Sequence, residues 1–199
     1  MSWQDKAACA ELIQSWGFWR DQGRWEDLLE TFHPDGWISV TWFSGPFTGF
    51  VEASRRSFGS PRSSSKHLIG TPMLKLSGER AVAETNVSIL GRQDLDGVWV
   101  DSVAHARFLD RLERRQGAWR IVERVAIYEK DTLTAVTPDP AFDKMMREVD
   151  FSRYPGACCF LAYRLERLGR TLADPIYCDG MPETAAVYQK YADWLVENS

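Results

Sequence analysis

Four consecutive segments between residues 66 and 133 restrict the fold of this chain most strongly, because each has the composition of a β-strand and a short turn follows it. They read KHLIGTPMLKLSG, ERAVAETNVSILGRQ, VWVDSVAHARFLDRLERR and AWRIVERVAIYEKDTL, and the turn signals between them are SGER, QDLDG and RQGA. β-Branched and aromatic residues favour strands, whereas Gly beside Asp or Gln favours turns. Such short connections join neighbouring antiparallel strands, so the pattern predicts an antiparallel meander.

Helical patterns precede this block of strands. Apolar residues recur at helical spacing within residues 4–21, and a second amphipathic helix follows, with Trp25, Leu28, Leu29 and Phe32 at i, i+3, i+4 and i+7. The motif HPDG ends this helix. Next, WISVTWF predicts a strand, FTGF predicts a short return strand, and GSPRSSSK predicts a polar loop after a third helix.

Helical patterns return after the strands. The segments FDKMMREV, ACCFLAYRLERLG and PETAAVYQKYADWLVENS look helical, with prolines between them. The element order predicts an α+β fold, with a domain over residues 1–137 and a helical extension over residues 138–199 packed on the same domain. The extension is apolar enough to cover a cavity mouth or to pack on a neighbouring subunit, and we favour a cap over a pocket.

Composition and charge exclude several classes of partner. The formal net charge is −4 and there is no basic tract, which argues against nucleic acid and anionic membranes as partners. No apolar run is long enough to span a bilayer and the N-terminus lacks a secretion pattern, so we expect a cytoplasmic protein. The four cysteines match no zinc spacing and are expected to be reduced and mostly buried.

Aromatic residues are abundant, with nine Trp, ten Phe and six Tyr. They could form a Trp-rich core or an oligomer interface, or they could line a pocket for a flat apolar ligand. Composition alone favours the core.

Three motifs resemble the nuclear transport factor 2-like superfamily, in particular its SnoaL-like branch. They are DQGRWEDLLETFHPDG, HLIGTPMLKLSGERAVAE and ARFLDRLERRQGAWRIVER, and together they span about residues 5–135. The resemblance implies a cone-shaped half-barrel, a bent and mainly antiparallel sheet that encloses an apolar pocket with N-terminal helices closing one side. Members include scytalone dehydratase, hexachlorocyclohexane dehydrochlorinase, ketosteroid isomerase, polyketide cyclases and a diarylpropane lyase, so fold alone does not settle function.

The resemblance places a catalytic Asp–His pair at Asp21 and His67. A neutral imidazole can remove a proton near neutral pH, and a buried carboxylate can orient it and stabilise the imidazolium that forms. Local sequence alone favours Asp21 as a cap of the helix that begins near Arg24, and His67 could be a surface residue after a Ser-rich loop. Gly17, one turn before Asp21, leaves space beside the carboxylate.

Further candidates are expected around this pair. Arg124 matches a family position that stabilises a developing anion, although an edge-strand salt bridge is an equal alternative. Tyr128 has the strand parity of Arg124 and could donate a hydrogen bond to a substrate oxygen. Trp42 and Phe108 are candidate walls of a substrate site, although aromatics on strands are more often core.

Trp16 and His105 complete the substrate-binding candidates. Trp16 stands where the dehydrochlorinase branch carries a Lys, which makes the pocket more aromatic and suits an aryl substrate. His105 lies in mid-strand between small residues, either as a second pocket group or on the outer face of the sheet, and its neighbours favour the outer face.

The sequence therefore predicts a lyase of the dehydratase, elimination or C–C lyase type, without cofactor or metal, that acts on a small hydrophobic aromatic or polycyclic substrate. The alternative is a non-catalytic binding module, or one resembling a dioxygenase small subunit, and an isomerase or cyclase ranks third. A homodimer or homotrimer is expected from the resemblance.

Overall fold

A computed structural model describes residues 2–197. Within this range the chain forms six α-helices and seven β-strands, and two short 3₁₀ turns precede α5. In chain order the elements are α1 (Trp3–Gln22), α2 (Trp25–Leu29), β1 (Phe32–Val40), β2 (Phe43–Pro46), α3 (Phe47–Ser57), β3 (Ser63–Ile69), β4 (Met73–Ser77), β5 (Arg80–Leu95), β6 (Val98–Arg115), β7 (Ala118–Ala135), α4 (Pro140–Glu148), α5 (Cys159–Arg167) and α6 (Pro182–Val196).

All seven strands form one sheet in the order β2-β1-β7-β6-β5-β3, and β4 also pairs with β5. The pairs are antiparallel except for β1 and β7, which run parallel. The long strands β5, β6 and β7 follow one another through short turns, as the meander predicts. The predicted α+β class with a bent, mainly antiparallel sheet is confirmed.

Strand alternation divides the packing between the two faces of the sheet. On the inner face, Ala104, Ala106 and Phe108 join the main core with the N-terminal helices. On the outer face, Leu109 belongs to a second cluster that includes Tyr191 of α6. Because both faces of β6 are covered, nearly every residue in its centre is at least half-buried.

The structure corrects three local predictions. FTGF forms the first turn of α3, and the return strand is β2, one segment earlier. HPDG lies inside β1, where the pairing with β7 shifts register between Phe32 and Trp37; this irregularity accommodates Pro34, which lacks an N–H for the ladder. The Ser-rich segment predicted as a loop begins β3 at Ser63.

The predicted C-terminal helices are present as α4, α5 and α6. Helix α5 packs on β6 and β7, and α6 packs on β4 and β5. The division of the chain at residue 137 stays a prediction. The four cysteines are free, and Cys9, Cys158 and Cys178 are buried. No helix within residues 2–197 has the length and apolar character needed to cross a bilayer.

Gly17 sets how closely α1 approaches β3. A Cβ at this position would lie 2.7 Å from Ile69 Cδ1 and 3.7 Å from His67 Cβ. The first distance is shorter than real Cβ contacts, so a larger residue would force the Ile69 side chain to move. The glycine therefore allows the close helix–strand contact on which the position of His67 depends.

We expect Gly17→Val to lower the free energy of unfolding by about 1–3 kcal/mol, which is typical of overpacking. Helix propensity acts in the opposite direction, because Val is a better helix former than Gly by less than about 1 kcal/mol. Urea unfolding measures the change. Gly156→Val is the matched control, since a Cβ at Gly156 meets no atom within 4 Å. Equal losses in both variants would contradict the predicted clash.

Candidate functional site

A cavity of about 720 Å³ lies at the end of α1, between α3, β3 and α5. Its size falls within the range of small-molecule sites. The sequence candidates Asp21, Trp42, His67 and Tyr128 line it together. The predicted extension supplies part of the wall, through residues between 161 and 170. The cavity is therefore lined by α1, by the strands of the sheet and by the segment that contains α5.

Asp21 and His67 are in direct contact. One carboxylate oxygen of Asp21, Oδ1, is 2.7 Å from His67 Nδ1, and the other, Oδ2, accepts the backbone N–H of His67 at 2.6 Å. Asp21 lies in the last turn of α1, and no side chain caps the N-terminus of α2. The alternative role of Asp21 as a helix cap is therefore not seen.

The contact defines which nitrogen of His67 carries a proton. A carboxylate only accepts hydrogen bonds, so Nδ1 is the donor and Nε2 of the neutral ring keeps a free lone pair. Nε2 makes no hydrogen bond to any residue in the range 2–197. Burial lowers the pKa of His67, and this outweighs the raising effect of Asp21. The ring is therefore neutral at pH 7 and can accept a proton.

Tyr128 supplies a hydroxyl to the same cavity. The phenol oxygen accepts the backbone N–H of Thr41 at 3.1 Å, and its own proton has no acceptor within the described part of the chain. Burial raises the pKa of Tyr128 well above its usual value, so the group stays protonated. It is available as a hydrogen-bond donor to a ligand. The hydroxyls of Thr41 and Ser54 lie buried beside the cavity and also have no partner among residues 2–197.

Two of the predicted aromatic walls stand at different depths. Trp42 lines the cavity, and the guanidinium of Arg170 lies 4.0 Å from its ring centre. Trp16 is 1% exposed and does not line the cavity, but its ring meets that of His67 edge to face at a centroid distance of 5.5 Å. Trp16 therefore packs against the ring of His67 and is not part of the cavity wall.

The predicted catalytic place of Arg124 is corrected. Arg124 is fully buried and binds Asp110 through two hydrogen bonds of 2.7 Å, Nε to Oδ1 and Nη2 to Oδ2. Its guanidinium lies 4.7 Å from the ring centre of Trp16 and 4.2 Å from that of Phe108. Because Asp110 faces it across β6 and β7, the charge is already paired, and Arg124 does not line the cavity.

Phe108 and His105 are corrected as well. Phe108 packs against Trp16 at a centroid distance of 5.5 Å inside the core, so it does not reach the cavity. His105 has the opposite strand parity and bonds to Ser88 through Nδ1 at 3.0 Å. Its ring is therefore on the outer face of the sheet, which is the orientation that its neighbours favoured, and it is not a substrate-binding residue of this cavity.

Sequence reasoning missed the arginines that line the cavity: Arg20, Arg56, Arg164 and Arg170. The burial of one of them, Arg164, could have been inferred from the sequence. The i, i+3, i+4, i+7 pattern of a buried helix face is present at Leu161, Arg164, Leu165 and Leu168. Because Arg is rarely buried unless it is paired, its place in this pattern indicates a partner or a ligand. Within residues 2–197 no group of three or more His, Cys, Asp or Glu side chains is placed to hold a metal ion.

The comparisons with known proteins agree with this architecture. A model of the SnoaL-like domain matches residues 1–125. Pea pathogenicity protein 2 from Fusarium vanettenii is 30% identical over 158 residues, which cover 77% of this chain and 66% of that protein. The chain thus spans just under two thirds of the length of that relative.

Two solved structures share the fold. A hexachlorocyclohexane dehydrochlorinase matches with a TM-score of 0.58 at 15% identity, over 69% of this chain and 95% of the other. A candidate scytalone dehydratase from Novosphingobium aromaticivorans matches with a TM-score of 0.55 at 14% identity, over 68% of this chain and 90% of the other. At such identities the likeness establishes the fold alone.

The depressed pKa of His67 makes stability depend on pH. The unfolded imidazole takes up a proton as the pH falls below about 6.5, before the folded one does, so stability is present above this value and is lost below it. We expect the unfolding free energy of the wild type to fall more steeply below pH 6.5 than that of His67→Gln. Urea unfolding on both sides of that pH measures the two slopes, and identical slopes would contradict the assignment.

The Asp110–Arg124 pair generates a stability prediction. Asp110→Asn leaves a buried guanidinium without its counter-charge, so we expect a loss of about 3–5 kcal/mol in unfolding free energy. The double variant Asp110→Leu with Arg124→Met removes both charges and should recover most of that loss, because apolar replacements of buried pairs are often neutral. Urea unfolding tests both variants. A loss under about 1 kcal/mol in the single variant would show that the pair is not a buried ion pair.

Proposed function

The chain belongs to the SnoaL-like domain family, and we propose that it is a cofactor-independent lyase that expels a small leaving group from a hydrophobic aromatic or polycyclic substrate. The observation that carries this proposal is the Asp21–His67 hydrogen bond at the wall of a ligand-sized cavity, with the Nε2 lone pair unoccupied. A neutral, oriented imidazole is a competent general base near neutral pH.

The reaction would begin with proton abstraction. His67 Nε2 takes a proton from a substrate carbon next to an electron-withdrawing group, and the electron pair of that C–H bond forms the new double bond. The leaving group departs with its bonding pair; in a dehydration the departing hydroxyl takes the proton from His67 Nε2 and leaves as water, which returns His67 to its neutral form. Asp21 stabilises the imidazolium through Nδ1, and both protons of the ring are then accounted for.

Tyr128 would act at the oxygen of the substrate. Its phenol is protonated and buried, and it lines the same cavity as His67. A hydrogen bond from this group to a carbonyl oxygen stabilises the negative charge that develops after proton abstraction. The same arrangement serves a C–C lyase that releases a small fragment from a lignin-like diaryl compound.

The remaining expectations stay part of this proposal. They are a cytoplasmic location, a homodimer or homotrimer, and a small hydrophobic aromatic substrate as the partner. Two of the structural relatives are a dehydrochlorinase and a candidate scytalone dehydratase, which are enzymes of elimination and dehydration. For this chain, the residues around the cavity favour such a reaction on their own chemistry.

The test is turnover of β-hydroxy ketones that carry one or two aryl rings, because their dehydration gives a conjugated enone that is read by ultraviolet absorbance. We expect His67→Ala to lower kcat/KM by about 10²–10⁴-fold, the usual contribution of a positioned base. Tyr128→Phe should lower it by about 10-fold or more, because it removes one hydrogen bond to the developing charge.

His105→Gln is the matched control, since this imidazole lies on the outer face of the sheet, and its kcat/KM should equal that of the wild type. Turnover by His67→Ala within a few-fold of the wild type would sink the proposed base. If the wild type binds these compounds, as seen by calorimetry, but turns over no ketone of the series, the chain is a binding module, which is the alternative drawn from its sequence.

A further inference from the structure

The charged residues around the cavity are unbalanced. Four arginines line it, against a single carboxylate, Asp21, whose two oxygens are already bound to His67. Arg56 is exposed and Arg20 and Arg170 are half-buried, but Arg164 is buried. A cavity built only for a neutral hydrocarbon has no need of a buried cation in its wall, because burying unpaired charge costs free energy. The excess of positive charge indicates a ligand that carries negative charge.

Of these four arginines, Arg164 is the one that is buried. It is 4% exposed, and within residues 2–197 its guanidinium makes one hydrogen bond, from Nη1 to the amide oxygen of Gln93 at 3.3 Å, and none to a carboxylate. Nε is buried without a partner among these residues. Burial lowers the pKa of Arg164 to about 10, and no acidic neighbour opposes that effect.

The unused edge of this guanidinium is the one that binds carboxylates. Arg124 in the same protein uses Nε and Nη2 to hold both oxygens of Asp110 at 2.7 Å. In Arg164 neither Nε nor Nη2 makes a hydrogen bond to any described residue. In a bidentate pair a carboxylate binds the planar fork of Nε and Nη2; of these two donors of Arg164, Nη2 is the one open to a ligand, because Nε is buried. Arg164 therefore lacks the partner that Arg124 possesses.

The neighbouring strand is adapted to Arg164. A Cβ at Gly91 would lie 2.6 Å from the guanidinium carbon and from both of its terminal nitrogens. Gly inside a strand often marks the close approach of another group, and here that group is the guanidinium. The absence of a side chain at position 91 thus holds open the space in which Arg164 lies at the cavity.

The other arginines reinforce the positive potential. Burial lowers the pKa of Arg20, Asp21 raises it, and Arg170 lowers it by a smaller effect; burial and then Arg56 lower the pKa of Arg170. Arg170 also stacks on Trp42, so a cation and an aromatic face stand side by side on the wall. An anion in the cavity would relieve this mutual repulsion.

We propose that the cavity binds an aryl carboxylate, with the carboxylate on Arg164 and the aromatic body beside Trp42. That this compound is a substrate rests on the lyase proposal, whereas its binding does not. The chemistry acts at His67, and Arg164 is a specificity-determining residue in the segment beyond the part of the chain that matches the family model.

The experiment compares naphthoate with naphthamide, an uncharged analogue of similar shape, by isothermal titration calorimetry. We expect the wild type to bind naphthoate about tenfold or more tightly than naphthamide, the effect of a hydrogen-bonded charge pair. Arg164→Gln should abolish this preference, and Arg164→Lys should keep part of it. Equal or weaker binding of the carboxylate, or no binding of either compound, would overturn the proposal.

Arg167→Gln is the matched control. It removes the same charge from the same helix, but Arg167 is paired with Asp96 on the surface and does not line the cavity. We expect it to keep the preference; an equal loss in this variant would assign the effect to net charge and overturn a specific role for Arg164.

If Arg164→Gln fails to fold, Gly91→Ala provides the second variant. It keeps the charge but displaces the guanidinium, and it should reduce the preference for naphthoate. The preference of the wild type for naphthoate over naphthamide can be measured without any variant. A preference for the carboxylate that depends on Arg164 stands even if no ketone is dehydrated, and dehydration without that preference keeps the lyase and removes this proposal.

Discussion

The carboxylate of Asp21 joins two parts of the molecule that are far apart in sequence. Its two oxygens bind the backbone N–H and the ring of the same residue, His67, so the end of α1 is held to β3 in one orientation. Gly17 permits that approach by leaving the space between helix and strand open. The direction of the Nε2 lone pair, and with it the proposed chemistry, depends on this contact.

The interior behind His67 is filled. Trp16, Phe108 and the Asp110–Arg124 pair occupy the inner face of the sheet, with the guanidinium packed against both rings. A ligand therefore cannot lie deep against β6. The cavity is displaced toward α3 and α5, which explains why a segment outside the first 125 residues contributes to its wall.

Much of this arrangement could be predicted from the sequence. Strand composition and short turns predicted the meander, and motif order predicted the position of the Asp21–His67 contact. The pairing of Arg124 could not be predicted. Arg115 and Ala118 close the hairpin, and regular pairing counted from this turn would set Asp110 opposite Glu123. An irregularity between Arg111 and Leu112 shifts the register by one residue, and Asp110 faces Arg124. Arg164 was missed for another reason, since its burial depends on how α5 packs on the sheet.

The position of α5 bears on how such a protein could diversify. In the proposed arrangement, the groups that move protons sit on the helix–sheet scaffold, and the cation that selects the ligand sits on a separate C-terminal helix. Changes in that helix can alter which compounds are admitted without touching the hydrogen bonds of the base. Reactivity and selectivity could then evolve independently, so one scaffold could bind new ligands through changes in α5 alone.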